Sequence, residues 1–215
     1  MARILCFGDS ITFGYTDPEG GWVQRLHNRL GYIDVTAENN PVHEVINLGI
    51  SADTADDVLK RMTVERDARI QNESDLILIA VGTNDSVYSQ SSDDTYTTPE
   101  EFSNKLTQLV ELAREKTQNV ALIGLLPCEE SKMQPMPWST SGKCYSNKRL
   151  AMFNKAIEHV ASEMEVEFFD MYVDMLGREY EKYLHDGLHP NSVGHQYITD
   201  KIFKWVQDKA NTSRR

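Results

Sequence analysis

Five short apolar runs divide the chain, and helical spacing fills the intervals between them. The runs cover 4–7, 45–48, 76–81, 120–126 and 166–169, and they stop at Gly8, Gly49, Gly82, Pro127 and Asp170. The run at 76–81 is unbroken, Leu-Ile-Leu-Ile-Ala-Val, as a central strand covered on both faces requires. Between the second and third runs, Ala55, Val58, Leu59 and Met62 recur at i, i+3, i+4 and i+7, with Asp56 and Asp57 placed to favour the positive end of a helix dipole. Thr98-Pro99-Glu100-Glu101 is a capping box with Pro at the first helical position, and Phe102, Leu106, Leu109, Val110 and Ala113 follow on one face. Leu150, Phe153, Ile157, Val160 and Met164 form another stripe. Asn191 can cap a last helix carrying Ile198, Ile202, Trp205 and Val206, and Trp22, Val23, Leu26 and Leu30 predict a shorter first helix.

Strands alternating with helices imply parallel βαβ units and a doubly wound α/β sheet. The stripes are read as core-facing. Two long loops stand out, 82–98, rich in Ser, Thr and Asp, and 127–144, with three Pro, two Met and Trp138. In an open α/β sheet, ligands bind outside the carboxyl ends of the strands, where both loops begin.

Length and composition narrow the class. A chain of 215 residues with no repeat or linker predicts a single domain over 1–215, its core spanning roughly 2–209. The formal charge of −11 argues against nucleic acid or an anionic membrane surface as the main partner, since both need a basic face. The N-terminal apolar run is too short for a signal peptide and no run is long enough to cross a bilayer, so a soluble cytoplasmic protein is expected. Cys6, Cys128 and Cys144 form no C-x-x-C pair. Cys6 reads as a buried filler, and Cys128 and Cys144 as free thiols in a reducing compartment.

The strand ends carry the chemistry. Gly8-Asp9-Ser10, Asn47-Leu48-Gly49, Gly82-Thr83-Asn84-Asp85 and Asp186-Gly187-Leu188-His189 supply a hydroxyl, a backbone amide, a side-chain amide and an acid–imidazole pair. A serine hydroxyl needs a base to take its proton. His189 can serve, with Asp186 three residues earlier fixing the tautomer across a bend at Gly187. The backbone N–H groups of Ser10 and Gly49 and the amide of Asn84 are candidate donors to an oxyanion. Asp9 and Asp85 read as turn-stabilising carboxylates. Asp170 and Asp174 compete with Asp186 as the acid, although the local i, i+3 placement favours Asp186. No third ligand accompanies Asp186 and His189, so no metal site is expected. There is no G-x-G-x-x-G, no G-x-x-x-x-G-K-[ST] and no G-x-S-x-G.

With these blocks in hand, the chain resembles the SGNH hydrolases, the GDSL-type esterase and lipase family. Gly8-Asp9-Ser10-Ile11, Gly49, Gly82-Thr83-Asn84-Asp85 and Asp186-Gly187-Leu188-His189-Pro190 carry the likeness, with Ile11 where the family name has Leu. The resemblance implies a three-layer α/β/α, flavodoxin-like fold with a five-stranded parallel sheet. It also implies Ser10 as nucleophile with His189 and Asp186, an oxyanion hole of Ser10, Gly49 and Asn84, and no cofactor or metal. Small-molecule esters or thioesters are the expected substrates, as for an esterase, lysophospholipase or acyl thioesterase. The alternatives are a carbohydrate O-acetylesterase, with Tyr15, Trp22 and Trp138 stacking on sugar, and a non-catalytic binding module on the same fold. Met133, Met136 and Trp138 in the 127–144 loop are expected to wall an acyl-chain pocket; of these, Trp138 and Met136 are the candidate substrate contacts.

Overall fold

Alternate residues along the central strands enter different layers, and that alternation explains why the apolar runs have no polar face. The computed structural model describes residues 2–36, 43–90 and 96–212, so residues 91–95 of the 82–98 loop lie outside the described residues. In chain order the elements are β1 (Arg3–Gly8), α1 (Ser10–Phe13), α2 (Gly21–Thr36), β2 (Glu44–Gly49), α3 (Ala55–Asp67), β3 (Leu76–Ala80), β4 (Tyr88–Ser89) and α4 (Pro99–Arg114). There follow β5 (Val120–Ile123), β6 (Lys143–Cys144), α5 (Asn147–Glu163), β7 (Glu167–Phe169), α6 (Met171–Leu176) and α7 (Ser192–Thr212).

The main sheet has the order β2-β1-β3-β5-β7, all parallel. Counting only its own strands this is 2-1-3-4-5, the flavodoxin-like order, whose direction reverses between β1 and β3. Leu5, Phe7, Ile77, Ile79 and Leu122 pack with α3, α4 and α5 on one face. Ile4, Cys6, Leu76, Leu78 and Ile123 pack with α2, α6 and α7 on the other. Three layers result, as expected. All three cysteines are free and buried. Among the described residues, no helix is long and apolar enough to cross a membrane.

The helix starts follow the sequence. Thr54 with Asp57 and Thr98 with Glu101 form complete capping boxes. The Asn191 side chain accepts the N–H groups of Val193 and Gly194, as a cap of α7 should. Two boundaries differ from expectation by more than one residue. The first helix is longer than its apolar stripe, at 16 residues. Strand β5 ends three residues early, because Asn154 of α5 accepts the Leu125 N–H at 2.9 Å and draws the backbone out of the sheet. Nothing in the sequence pattern marks the small antiparallel sheet of β4 and β6, which pairs Tyr88 with Cys144 and Ser89 with Lys143.

Behind the strand ends lies a polar layer. Asp85 is almost fully buried, and both its oxygens accept the N–H of Ala55 at the start of α3. Burial pushes its carboxyl up from 3.8 to about 7, against the backbone hydrogen bonds. Gly49 pairs in register with Gly8. A Cβ on Gly49 would lie 2.2 Å from the Phe13 nitrogen and 2.7 Å from the Thr12 carbonyl carbon, so α1 can rest on β2 only because Gly49 has no side chain.

Gly49→Ala should therefore cost about 1–3 kcal/mol as an overpacking change, seen in a thermal melt as a fall of roughly 3–10 °C. An unchanged melting temperature would contradict the close approach. Asp85 makes a pH-dependent contribution. With its folded pKa raised, the stabilisation is complete below about pH 3.8 and is lost as pH rises toward 7. Asp85→Asn keeps an acceptor for Ala55 and cannot ionise. Urea unfolding at several pH values should give a variant whose stability declines less than the parent's between pH 4 and 7, and parallel curves would refute it.

Candidate active site

Ser10 lies at the top of β1 because the chain turns there at once into α1. The Asp9 carboxylate accepts the Ile11 N–H at 2.9 Å and caps this single turn. Among the described residues nothing accepts the Ser10 N–H. The Ser10 hydroxyl is 3.0 Å from His189 Nε2, although 179 positions separate the two in sequence. On the other side of the ring, Nδ1 is 2.7 Å from Asp186 Oδ2.

The segment carrying Asp186 and His189 is built to hold that pair. Gly187 takes φ +99°, which a side chain would strain. The bend lets Asp186 Oδ1 accept the N–H groups of Leu188 at 2.9 Å and His189 at 2.8 Å. His189 in turn accepts at its carbonyl from His185, and Gly187 accepts from Glu129, which ties the segment to the 127–142 loop. Burial raises the Asp186 carboxyl, but the imidazole and the two backbone donors outweigh it and hold the group down at about 2. An ionised carboxylate facing Nδ1 means that Nδ1 carries the ring proton, leaving Nε2 free to accept the proton of Ser10.

Asn84 follows β3 and is fixed at both ends. Its oxygen accepts from the Tyr145 hydroxyl at 3.1 Å, and its nitrogen donates to the Asp53 carbonyl at 3.0 Å and to Asp9 Oδ2 at 3.3 Å. Asp9 is buried, and that burial pushes its carboxyl up from 3.8 to about 6, against the Ile11 hydrogen bond and the charge of His189.

Ser10, Asn84, Asp186 and His189 line one cavity of about 650 Å³, together with Tyr15, Ser51, Ala52, Met136, Trp138, Tyr145 and others. That volume suits a small-molecule site. Gly49 is absent from this wall, which corrects the reading of its N–H as an oxyanion donor. The Gly49 N–H donates instead to Asn47 Oδ1 at 3.0 Å, and the need for glycine there comes from α1 packing. Ala52 lines the cavity in the left-handed region at φ 71°, and among the described residues nothing accepts its N–H.

Other expectations divide similarly. Asp170 caps α6 and accepts from Asn154 at 3.1 Å, and Asp174 pairs with Lys201 and Tyr197, so neither is the partner of His189. Trp22 and Met133 are buried in the two cores and cannot touch substrate. Met136 and Trp138 reach the cavity, and Tyr15 does too. Sequence reasoning missed Tyr145 and Ala52. Tyr145 arrives through the two-residue β6 pairing, and an alanine in a left-handed turn leaves no mark in sequence.

Comparison with known proteins identifies the family and the fold. The family model described as "GDSL-like Lipase/Acylhydrolase family" matches residues 6–197. An arylesterase of Vibrio mimicus is 26% identical over 93% of this chain and 86% of its own length. The isoamyl acetate-hydrolyzing esterase 1 homolog of rat is 25% identical over 99% of this chain and 84% of its own. Among solved structures, a lipase/acylhydrolase from Enterococcus faecalis superposes with a TM-score of 0.77 at 24% identity, covering 97% of each chain. An acetylxylan esterase from Geobacillus stearothermophilus gives 0.71 at 22% identity, over 95% of this chain and 94% of the other. These two share the fold, and the match across most of the chain shows that the protein belongs to the GDSL-like lipase/acylhydrolase family.

Proposed function

We propose that this protein hydrolyses carboxylic esters of small molecules through Ser10, His189 and Asp186. The observation that carries the proposal is the continuous hydrogen-bonded line from the Ser10 hydroxyl through the imidazole to an ionised carboxylate, opening into a cavity of ligand size. His189 Nε2 takes the hydroxyl proton as Oγ attacks the ester carbonyl, and Asp186 stabilises the imidazolium that forms. The tetrahedral intermediate collapses when Nε2 returns its proton to the departing alkoxide. Water then attacks the acyl carbonyl as His189 Nε2 takes its proton. The second tetrahedral species collapses when Nε2 returns that proton to Ser10 Oγ, so that the Oγ–acyl bond breaks and the acyl group leaves as the free acid.

The oxyanion reading keeps Ser10 N–H and Asn84 and replaces Gly49 with Ala52 N–H. Two of these donors, on Ser10 and Ala52, have no competing acceptor among the described residues. The third, on Asn84, makes a 3.3 Å contact to Asp9, and that longer bond is the one an incoming oxyanion can share. Removing one such donor typically costs ~2.7–4 kcal/mol of barrier. The acetyl-ester activities named for relatives, on isoamyl acetate and on xylan, favour short acyl groups here as well.

Ser10→Ala should abolish ester hydrolysis and leave fluorophosphonate unreacted while the melting temperature holds, and digestion of labelled parent protein should locate the adduct on the Ser10 peptide. A label on another serine would refute the assignment. The two acids should also part company. Asp186→Asn leaves Nδ1 with the wrong tautomer and should lower kcat on the order of 10³–10⁴-fold. Asp170→Ala, which removes the α6 cap, should act on stability by about 0.5–2 kcal/mol, with kcat retained. Steady-state kinetics beside urea unfolding distinguishes the two patterns, and the reverse pattern would move the acid.

A further inference from the structure

Two aromatic rings pack against the imidazole itself. The Tyr15 ring lies 4.8 Å from that of His189, centroid to centroid, and the Trp138 ring lies at 5.9 Å. Both residues are 48% exposed and both line the cavity. Their backbones are held. The Tyr15 N–H donates to the Ser10 carbonyl at 3.0 Å, and the turn bearing Trp138 is closed by Ser139 N–H to Met136 carbonyl at 3.0 Å and by Lys143 N–H to Ser139 Oγ at 2.8 Å.

Their position relative to the chemistry decides what they touch. Whatever the substrate, Nε2 must reach the oxygen of the departing alcohol to protonate it. Groups packed beside the imidazole therefore meet the alcohol rather than the acyl chain. This moves Trp138 away from the acyl-pocket role that the sequence suggested. Half-exposed aromatic faces fixed by the backbone suit a partner that is itself a rigid ring with an apolar face, because stacking then gains contact without freezing the rotors of a flexible chain. The charge of the wall adds a second restriction. Among the described lining residues the one cation is Lys143, which already lies over the Tyr96 ring at 5.5 Å, whereas Asp186 is ionised and the chain carries −11 overall. An anionic alcohol would meet a single ammonium, ionised Asp186 in the same wall and a chain that repels it overall.

We infer that Tyr15 and Trp138 form a leaving-group subsite selecting uncharged alcohols borne on a ring, and that this subsite, rather than an acyl pocket, sets the substrate preference. The inference rests on the ester-hydrolase reading above. An aryl ring and a sugar ring share the required face.

The test compares primary acetates that differ in the alcohol. Cyclohexylmethyl acetate and heptyl acetate have equal carbon counts and alkoxides of similar basicity, so their kcat/KM ratio reports ring against chain. Benzyl acetate and a methyl glucoside 6-acetate separate the aryl and sugar sources. The parent enzyme should favour cyclohexylmethyl over heptyl acetate. Trp138→Ala and Tyr15→Ala should each reduce that ratio by roughly three- to tenfold, the scale of one aromatic contact. Trp138→Phe and Tyr15→Phe should retain most of it. Equal losses on ring and chain esters, or no ring preference in the parent, would overturn the subsite. If the parent labels at Ser10 with fluorophosphonate and hydrolyses both esters without discrimination, the subsite alone is wrong. If it neither labels nor hydrolyses any ester, the hydrolase reading falls with it.

Discussion

The site depends on the parallel pairing of β1 with β2 on one side and β3 on the other. In that register Gly8 stands beside both Gly49 and Ala80, so three strands end at one level. Within four residues of that row come Ser10, Ala52 and Asn84. Because the winding direction changes between β1 and β3, the helices that follow these strands go to opposite faces and leave a crevice between them. A slip of one residue in β1 would turn its core residues to the other layer and lift Ser10 from the level of Asn84. The same hydrophobic alternation that fills the two cores thus sets the positions of the polar groups above them.

Beneath the cavity the molecule tolerates two buried carboxylates, Asp9 and Asp85, whose pKa values are pushed up to about 6 and about 7. Each also has a geometric duty, since Asp9 caps α1 and contacts the Asn84 amide while Asp85 fixes the start of α3. Asp186, by contrast, is held down at about 2 although it too is partly buried. The difference lies in the depth of burial and in the donors. Asp186 receives an imidazole N–H and two backbone N–H groups, which compensate its charge, whereas Asp85 is almost fully buried and receives backbone N–H groups alone. Burial and hydrogen bonding together thus set carboxylates at three strand or loop ends to different acidities.

Much of this was legible in the sequence because its cause is local. The five apolar runs, the capping box at Thr98 and the Asp186–His189 spacing all express rules that act over a few residues. The runs become the five strands of the sheet, the box forms, and Asp186 lies 2.7 Å from the His189 ring. What failed depended on contacts distant in sequence. Gly49 looked like an oxyanion donor because a bare backbone permits close approach, but what approaches is the backbone of α1. Met133 looked like a cavity wall and lies in the core, whereas Tyr145 was overlooked and reaches Asn84. Which face of a long loop turns inward is decided by pairings such as β4 with β6, and single-sequence patterns do not encode them.

The arrangement of acid and base on one tight bend has a consequence for tolerance to motion. Asp186, Gly187, Leu188 and His189 hold one another through bonds that span at most three positions, so the segment can shift as a rigid piece without losing its internal alignment. Only one separation in the proton path joins remote parts of the chain, the 3.0 Å between Ser10 and His189. The alignment problem is thereby reduced from three bodies to two, and a small breathing of the loops changes a single distance rather than a network.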